Sequence, residues 1–174
     1  STGDVYVAGG STSASLGFAT GNVLTNSGGI SDGFVMRMTG NVPFVLGGSF
    51  IGTNEFDQAY FVQLDLDNQV YVYGQTEGLM PISAGVYGTP NSGQFIRKYS
   101  SNLATLAWST TIGAGTGHVE ISPTAFLVSD CYEIYISGWG GSVNSSNSSA
   151  TFSSSNGFQV TPDAFQSNTN GSNF

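Results

Sequence analysis

One phrase written three times constrains this chain more than any other feature. Val5-Tyr6-Val7-Ala8-Gly9 recurs as Val70-Tyr71-Val72-Tyr73-Gly74 and again as Ile134-Tyr135-Ile136-Ser137-Gly138. The three leading tyrosines stand 65 and 64 residues apart. A second phrase keeps step: Asp32-Gly33-Phe34-Val35-Met36-Arg37 matches Ser92-Gly93-Gln94-Phe95-Ile96-Arg97, and Gly171-Ser172-Asn173-Phe174 opens as a third copy would. Phe50-Ile51-Gly52 matches Thr111-Ile112-Gly113. Ala59-Tyr60-Phe61-Val62-Gln63-Leu64-Asp65 pairs with Thr124-Ala125-Phe126-Leu127-Val128-Ser129-Asp130. Four phrases in one order at near-constant spacing define an internal repeat of about 60–65 residues.

Each repeat is a series of short apolar runs broken by Gly, Ser, Asn and Thr, the pattern of strands and turns. Strands are predicted over 4–8, 33–38, 43–51, 59–66, 69–74, 94–100, 104–112, 124–129 and 133–138. The fold class that follows is all-β, a partial β-propeller built of four-stranded antiparallel blades. A lone four-stranded sheet has two faces it cannot bury, so neighbours must stack, and alternating Val and Tyr offer one side chain to each neighbour. Glycines at the strand ends are expected to turn the chain at positive φ. The chain divides into the end of one blade (about 1–31), a second (about 32–91), a third (about 92–170) and the start of another (171–174). The third carries a Ser/Asn-rich insertion over 142–156, polar and of low complexity, which reads as an exposed loop.

Composition removes several functions. Only three Lys and Arg stand against eleven Asp and Glu. Arg37, Arg97 and Lys98 cannot make the basic stripe that a nucleic-acid partner requires. No apolar run reaches the ~18 residues of a transmembrane segment, and no basic start with an apolar stretch marks a signal peptide. Charged residues are 8% of the chain and aromatics 13%, which is unlike a disordered polymer.

The phrases Gly3-Asp4-Val5-Tyr6-Val7-Ala8-Gly9, Asp32-Gly33-Phe34-Val35 and Leu106-Ala107-Trp108-Ser109-Thr110-Thr111-Ile112-Gly113 resemble the SBBP-type β-propeller repeat. Asp130-Cys131-Tyr132-Glu133-Ile134-Tyr135-Ile136-Ser137-Gly138-Trp139-Gly140-Gly141, with Thr161-Pro162-Asp163-Ala164-Phe165-Gln166, is similar to a variant in large secreted surface proteins of Bacteroidota. The resemblance implies a propeller within a long exported protein, of the kind sorted by type IX secretion or associated with gliding motility. It brings no catalytic residues. Two features depart from the usual pattern: Arg37-Met38 and Arg97-Lys98 fall where Lys-Leu is common, and the 142–156 tract is long.

No chemical constellation competes with that reading. His118 and Cys131 are the only residues of their kinds and fall on different connections, where a Cys–His pair would need both together. Asp65-Leu66-Asp67-Asn68 alternates oxygens as the start of a calcium loop does. It lacks the later Gly and the bidentate Glu, and a polar turn between strands explains Asp65 and Asp67 better. Glu55, Asp57 and Glu120 are the carboxylates to weigh for glycoside hydrolysis; turn and solubilising roles suit them better. Asn144, Asn147 and Asn170 each open an Asn-x-Ser triplet, which a Ser/Asn-rich stretch produces readily. Trp139, framed by Gly138 and Gly140, is the candidate contact residue for a protein partner or a glycan, against the plainer role of capping the sheet beside the insertion. Trp108 is expected in the core between blades.

The expectation is a non-catalytic propeller segment of an extracellular or surface protein. Its partners would be surface proteins or the remaining blades of the same polypeptide. The alternative is a carbohydrate-binding module, or part of a polysaccharide-active protein, using Trp139. An enzyme site on the central face of a complete ring is the third reading, and it would need residues from other blades. A segment ending in Tyr/Val-rich faces is expected to fold poorly alone.

Overall fold

A computed structural model describes residues 3–17, 28–41, 44–143 and 151–168. Within them the chain is all-β. The first sheet joins β1 (Val5–Ser11), β2 (Asp32–Met38) and β3 (Val45–Ile51) in that order. The second joins β4 (Asp57–Leu64), β5 (Val70–Thr76), β6 (Gln94–Tyr99) and β7 (Leu106–Ile112). The third joins β8 (Ser122–Val128) and β9 (Ile134–Trp139). A small hairpin pairs β10 (Ser142–Val143) with β11 (Thr151–Phe152), strands that the low-complexity reading of 142–156 did not anticipate. Every pair within the sheets is antiparallel. All nine strands expected from the sequence form.

The repeat is visible in the registers. Tyr6 faces Arg37 as Tyr71 faces Lys98, and Gly9 faces Phe34 as Gly74 faces Phe95. Val35 faces Ser49 as Ile96 faces Thr110. The irregularity between Arg37 and Met38 recurs between Lys98 and Tyr99. Thus β1–β2–β3 and β5–β6–β7 are one construction built twice, including its bulge. The four-stranded unit runs Asp57–Ile112, so it draws strands from both repeat segments marked out at 32–91 and 92–170. Four strands are complete only in this second sheet; the first shows three and the third two among the described residues.

Side-chain alternation makes the sheets stack. Val70, Val72, Phe95 and Tyr99 leave one face of the second sheet and pack with Tyr6, Ala8, Val35 and Ile51 of the first. Tyr71, Tyr73 and Ile96 leave the other face and pack with Phe126, Val128, Ile134 and Ile136 of the third. Trp108 joins this second cluster, its ring edge-on to Tyr71 at 5.9 Å. Tyr73 sits 5.4 Å from Phe126.

Two sequence expectations are corrected here. In the fourth phrase Phe126 was matched with Phe61, but the registers put it in the place of Val62, opposite Ile136 as Val62 is opposite Val72. A slip of one residue reverses every side chain, so the literal likeness of the two Phe residues misleads. The glycines of the tyrosine phrase, Gly9, Gly74 and Gly138, do not turn the chain at positive φ, whereas Gly113 directly after β7 does. Gly74 lies within the ladder, and a Cβ there would stand 2.2 Å from the Gln58 carbonyl and 2.5 Å from the Phe95 ring. Gly9 has the same relation to Phe34, at 3.0 Å. These glycines make room for the phenylalanine across the ladder.

Tight turns close one end of the stack. Asp65 accepts from the amides of Asp67 (3.0 Å) and Gln69 (2.8 Å) between β4 and β5. Ser129 Oγ does the same for Cys131 (3.3 Å) and Glu133 (3.1 Å) between β8 and β9. Asn68 and Tyr132, at equivalent places, both adopt the left-handed conformation. The other end carries the longer connections, 77–93, 113–121 and the insertion.

Candidate functional site

Of the carboxylates singled out in the sequence, Glu120 lies on one of the longer connections, Glu55 on the short 52–56 connection and Asp57 at the start of β4; the burial of Asp57 and Glu120 corrects the solubilising role expected of them. Glu120 is buried at the entrance to β8. Its Oε2 accepts from the Gly93 amide at 2.9 Å, and its Oε1 from the Ala114 amide at 3.1 Å and Thr116 Oγ1 at 3.2 Å. Burial pushes the Glu120 carboxyl up, against these bonds. The side chain therefore ties the β7–β8 connection to the head of β6.

Asp57 does the corresponding work one repeat earlier. It is fully buried where β4 meets the first sheet. Its Oδ2 accepts from the Thr53 amide at 2.6 Å and Thr53 Oγ1 at 2.8 Å. Burial drives its pKa up to about 6; Thr76 and Thr53 hold it down in part, and the nearby Asp32 carboxylate adds to the rise. Asp32 is also fully buried. Glu55 is exposed on the same loop, its amide bonded to Thr53 Oγ1 at 3.1 Å.

A cavity of about 410 Å³ opens beside Glu120. It is lined by Thr116, His118, Val119, Glu120, Ser153, Ser154 and Asn156. His118 and Glu120 thus share one site, with the base of the insertion as its second wall. Asp57 does not line it. Cys131 lies exposed in the β8–β9 turn, at the end of the stack away from these connections.

Trp139 ends β9 and is 47% exposed. Its ring lies over Gly141, where a Cβ would meet it at 2.0 Å. It shares a sheet face with Tyr135, and Gln75, its equivalent in the second sheet, is fully buried. Asp65 and Asp67 sit in the β4–β5 turn. Burial alone would raise the Asp65 carboxyl, but Lys98 Nζ at 3.0 Å and the Gln69 amide hold it below the usual range. Lys98 also lies 4.7 Å from the centre of the Tyr71 ring. No cluster of three or more His, Cys, Asp or Glu able to hold a metal occurs among the described residues. Asn144, Asn147 and Asn170, residues 144–150 of the insertion and the start of another repeat at 171–174 lie outside the described residues.

Sequence reasoning missed two features. One is Arg97, 2% exposed in the face toward the first sheet. Its Nη2 donates to the Met80 thioether at 2.6 Å, while Nε and Nη1 find no partner among the described residues. The sequence phrase sets it against Arg37, but the registers put Arg97 in the place of the apolar Met36 and Lys98 in the place of Arg37. The other is the burial of Asp32 beside Asp57, for which the only sign was an aspartate opening a strand directly ahead of Gly33-Phe34-Val35-Met36. Among the described residues no helix is long and apolar enough to cross a membrane. No family model and no curated protein matches this chain.

Proposed function

We propose that this chain is a segment of a β-propeller within a large exported bacterial surface protein, acting as a non-catalytic scaffold and contact module. The observation that carries the reading is the repeated register. β1–β2–β3 and β5–β6–β7 share pairing and bulge, and the sheets stack by the same alternation of Val-bearing and Tyr-bearing faces. Such a stack presents loops at its two ends and spends its side chains on neighbours. The buried carboxylates support a structural role, since Asp57 engages the Thr53 amide and Glu120 the amides of Ala114 and Gly93, joining two connections. The resemblance to SBBP-type repeats supplies the export context, including type IX secretion or gliding motility.

The test is a paired one. Purified chain is cross-linked to surface-protein extracts of Bacteroidota cells, and the captured species are identified by mass spectrometry. The same material is assayed against a panel of polysaccharides. Saturable capture of a defined surface protein with no hydrolysis is expected; reproducible hydrolysis abolished by Glu120→Gln would overturn the reading. A second reading, glycan binding, is favoured by the half-exposed Trp139 ring over Gly141. Glycan-array signal lost in Trp139→Ala would favour it over a protein contact, and a blank array would dismiss it.

A further inference from the structure

We propose that the cavity beside Glu120 is a binding site for one neutral sugar ring. Both of its walls are internal to the chain. The β7–β8 connection supplies Thr116, His118, Val119 and Glu120, and the base of the insertion supplies the rest. The two junctions between sheets differ at this place. At the first, Gly78, three residues past Gln75, lies so close to Thr53 that a Cβ would stand 2.1 Å from its Oγ1. At the second, Ser142, three residues past Trp139, opens β10 instead, and the chain comes back after β11 at Ser153. Ser153 Oγ accepts from the Gly141 amide at 2.9 Å and donates to the Gly141 carbonyl at 3.1 Å, which fixes the returning wall. The space between the walls, about 410 Å³, is in the range of small-molecule sites.

The lining selects the ligand. It contains no Lys or Arg: Arg37 pairs with Asp4, Lys98 with Asp65, and Arg97 is buried in the face toward the first sheet. Nothing there offsets the charge of a phosphate or a carboxylate. Glu120 is the one acidic group in the wall, and three donors, from Gly93, Ala114 and Thr116, already face it. A single carboxylate is not the pair that glycoside hydrolysis uses, so the site binds and does not cleave. What remains is a mixed set of donors and acceptors. Glu120 Oε2 accepts one of these bonds and has a lone pair for a ligand hydroxyl. Ser154 Oγ accepts from the Asn156 amide at 3.3 Å and keeps its proton to donate. The His118 imidazole is exposed at the rim, and Val119 adds an apolar patch. A pyranose answers that set: it is neutral, hydrogen-bonds in both senses around its edge and carries apolar C–H groups on its faces. Trp139 does not line the cavity, so this site is separate from the exposed ring.

Saturation-transfer NMR on the purified chain tests this. The probes are methyl glucoside, methyl galactoside, methyl mannoside and N-acetylglucosamine, with glucuronic acid as the charged comparison. Transfer to the ring protons of at least one neutral sugar is expected, with millimolar affinity. Glucuronic acid is expected to bind at least roughly tenfold more weakly. His118→Ala removes a polar group from the rim, and Ser154→Phe fills the mouth. Both positions are exposed, so both variants are expected to keep the β-sheet circular dichroism of the wild type. Each is expected to weaken binding at least roughly tenfold, and Trp139→Ala to leave it unchanged. No transfer to any of the neutral sugars, equal binding of glucuronic acid, or wild-type binding by both folded variants would overturn the proposal. Loss of binding in Trp139→Ala with His118→Ala and Ser154→Phe unaffected would also overturn it and assign the sugar to the exposed ring. None of these results decides the scaffold reading, which stands or falls on protein capture and hydrolysis.

Discussion

The second sheet and the third use the same phrase to opposite effect. In β5 the tyrosines Tyr71 and Tyr73 are buried, and every residue of the strand is enclosed. In β9 Tyr135 and Trp139 are exposed on the corresponding face. The difference is not in the local sequence, which keeps the alternation, but in what lies alongside. A strand in this architecture gains its apolar burial from the adjacent sheet, so the same residues stabilise one repeat and leave another open to water. Low overall charge fits this: in the covered second sheet only Asp57, Arg97 and Lys98 are charged, and Arg97 is itself buried between sheets.

The comparison breaks most visibly by truncating matched residues. Tyr71→Ala is expected to cost about 3–5 kcal/mol, as large buried aromatic truncations do, and Tyr135→Ala less than about 0.5 kcal/mol, as exposed positions do. Chemical denaturation of the two variants measures both. Equal losses would mean that the third sheet is as well covered as the second.

A second contrast sets the two buried carboxylates, Asp57 and Glu120, against the turn carboxylate Asp65 by pH. The folded chain holds the Asp57 proton to about pH 6, above its ordinary value of 3.8. Stability from this group is fully present below about pH 4 and is lost as pH rises through 6, by up to about 3 kcal/mol. Glu120, also raised by burial, acts in the same direction. Asp65, lowered, acts in the opposite sense and only at more acidic pH. Melting temperature measured from pH 4 to 7 is expected to fall, and Asp57→Asn is expected to flatten that slope.

The third contrast concerns matched positions in the first and second sheets. Arg97 carries a charge into a face where Met36 serves in the other copy. Its Nε and Nη1 are unpartnered among the described residues. Arg97→Met is expected to stabilise the chain by about 1–3 kcal/mol, because an uncompensated buried guanidinium costs more than a thioether of similar length. Thermal unfolding of the variant gives the answer, and a lower melting temperature would assign Arg97 a partner that holds it in place.

Most of the strand order was legible in the sequence, and the reason is physical. The Val-Tyr alternation, the glycine facing a phenylalanine and the polar turns each repeat in step, so one copy interprets the others. Trp108 could be placed between sheets from its position within a strand. What escaped depended on neighbours outside the local phrase. The role of Gly74 is set by the Phe95 ring across the ladder, not by its own φ. The proper partner of Phe126 is fixed by ladder pairing that a match of letters cannot see. The cavity beside Glu120 and His118 has its second wall in Ser153, Ser154 and Asn156 of the insertion, which local sequence around residues 118–120 does not reveal. The exposure of Trp139 likewise reflects the sheet beside it, while the flanking glycines drew notice to it in the sequence.

Native-state hydrogen exchange tests the central claim most directly, since it reads each sheet separately within one molecule. If stability comes from stacking, the amides of β5 and β6 exchange only through global opening. The matched amides of β1 and β9 then exchange at least roughly a hundredfold sooner. Equal protection across the three sheets, or a third sheet more protected than the second, would contradict the account.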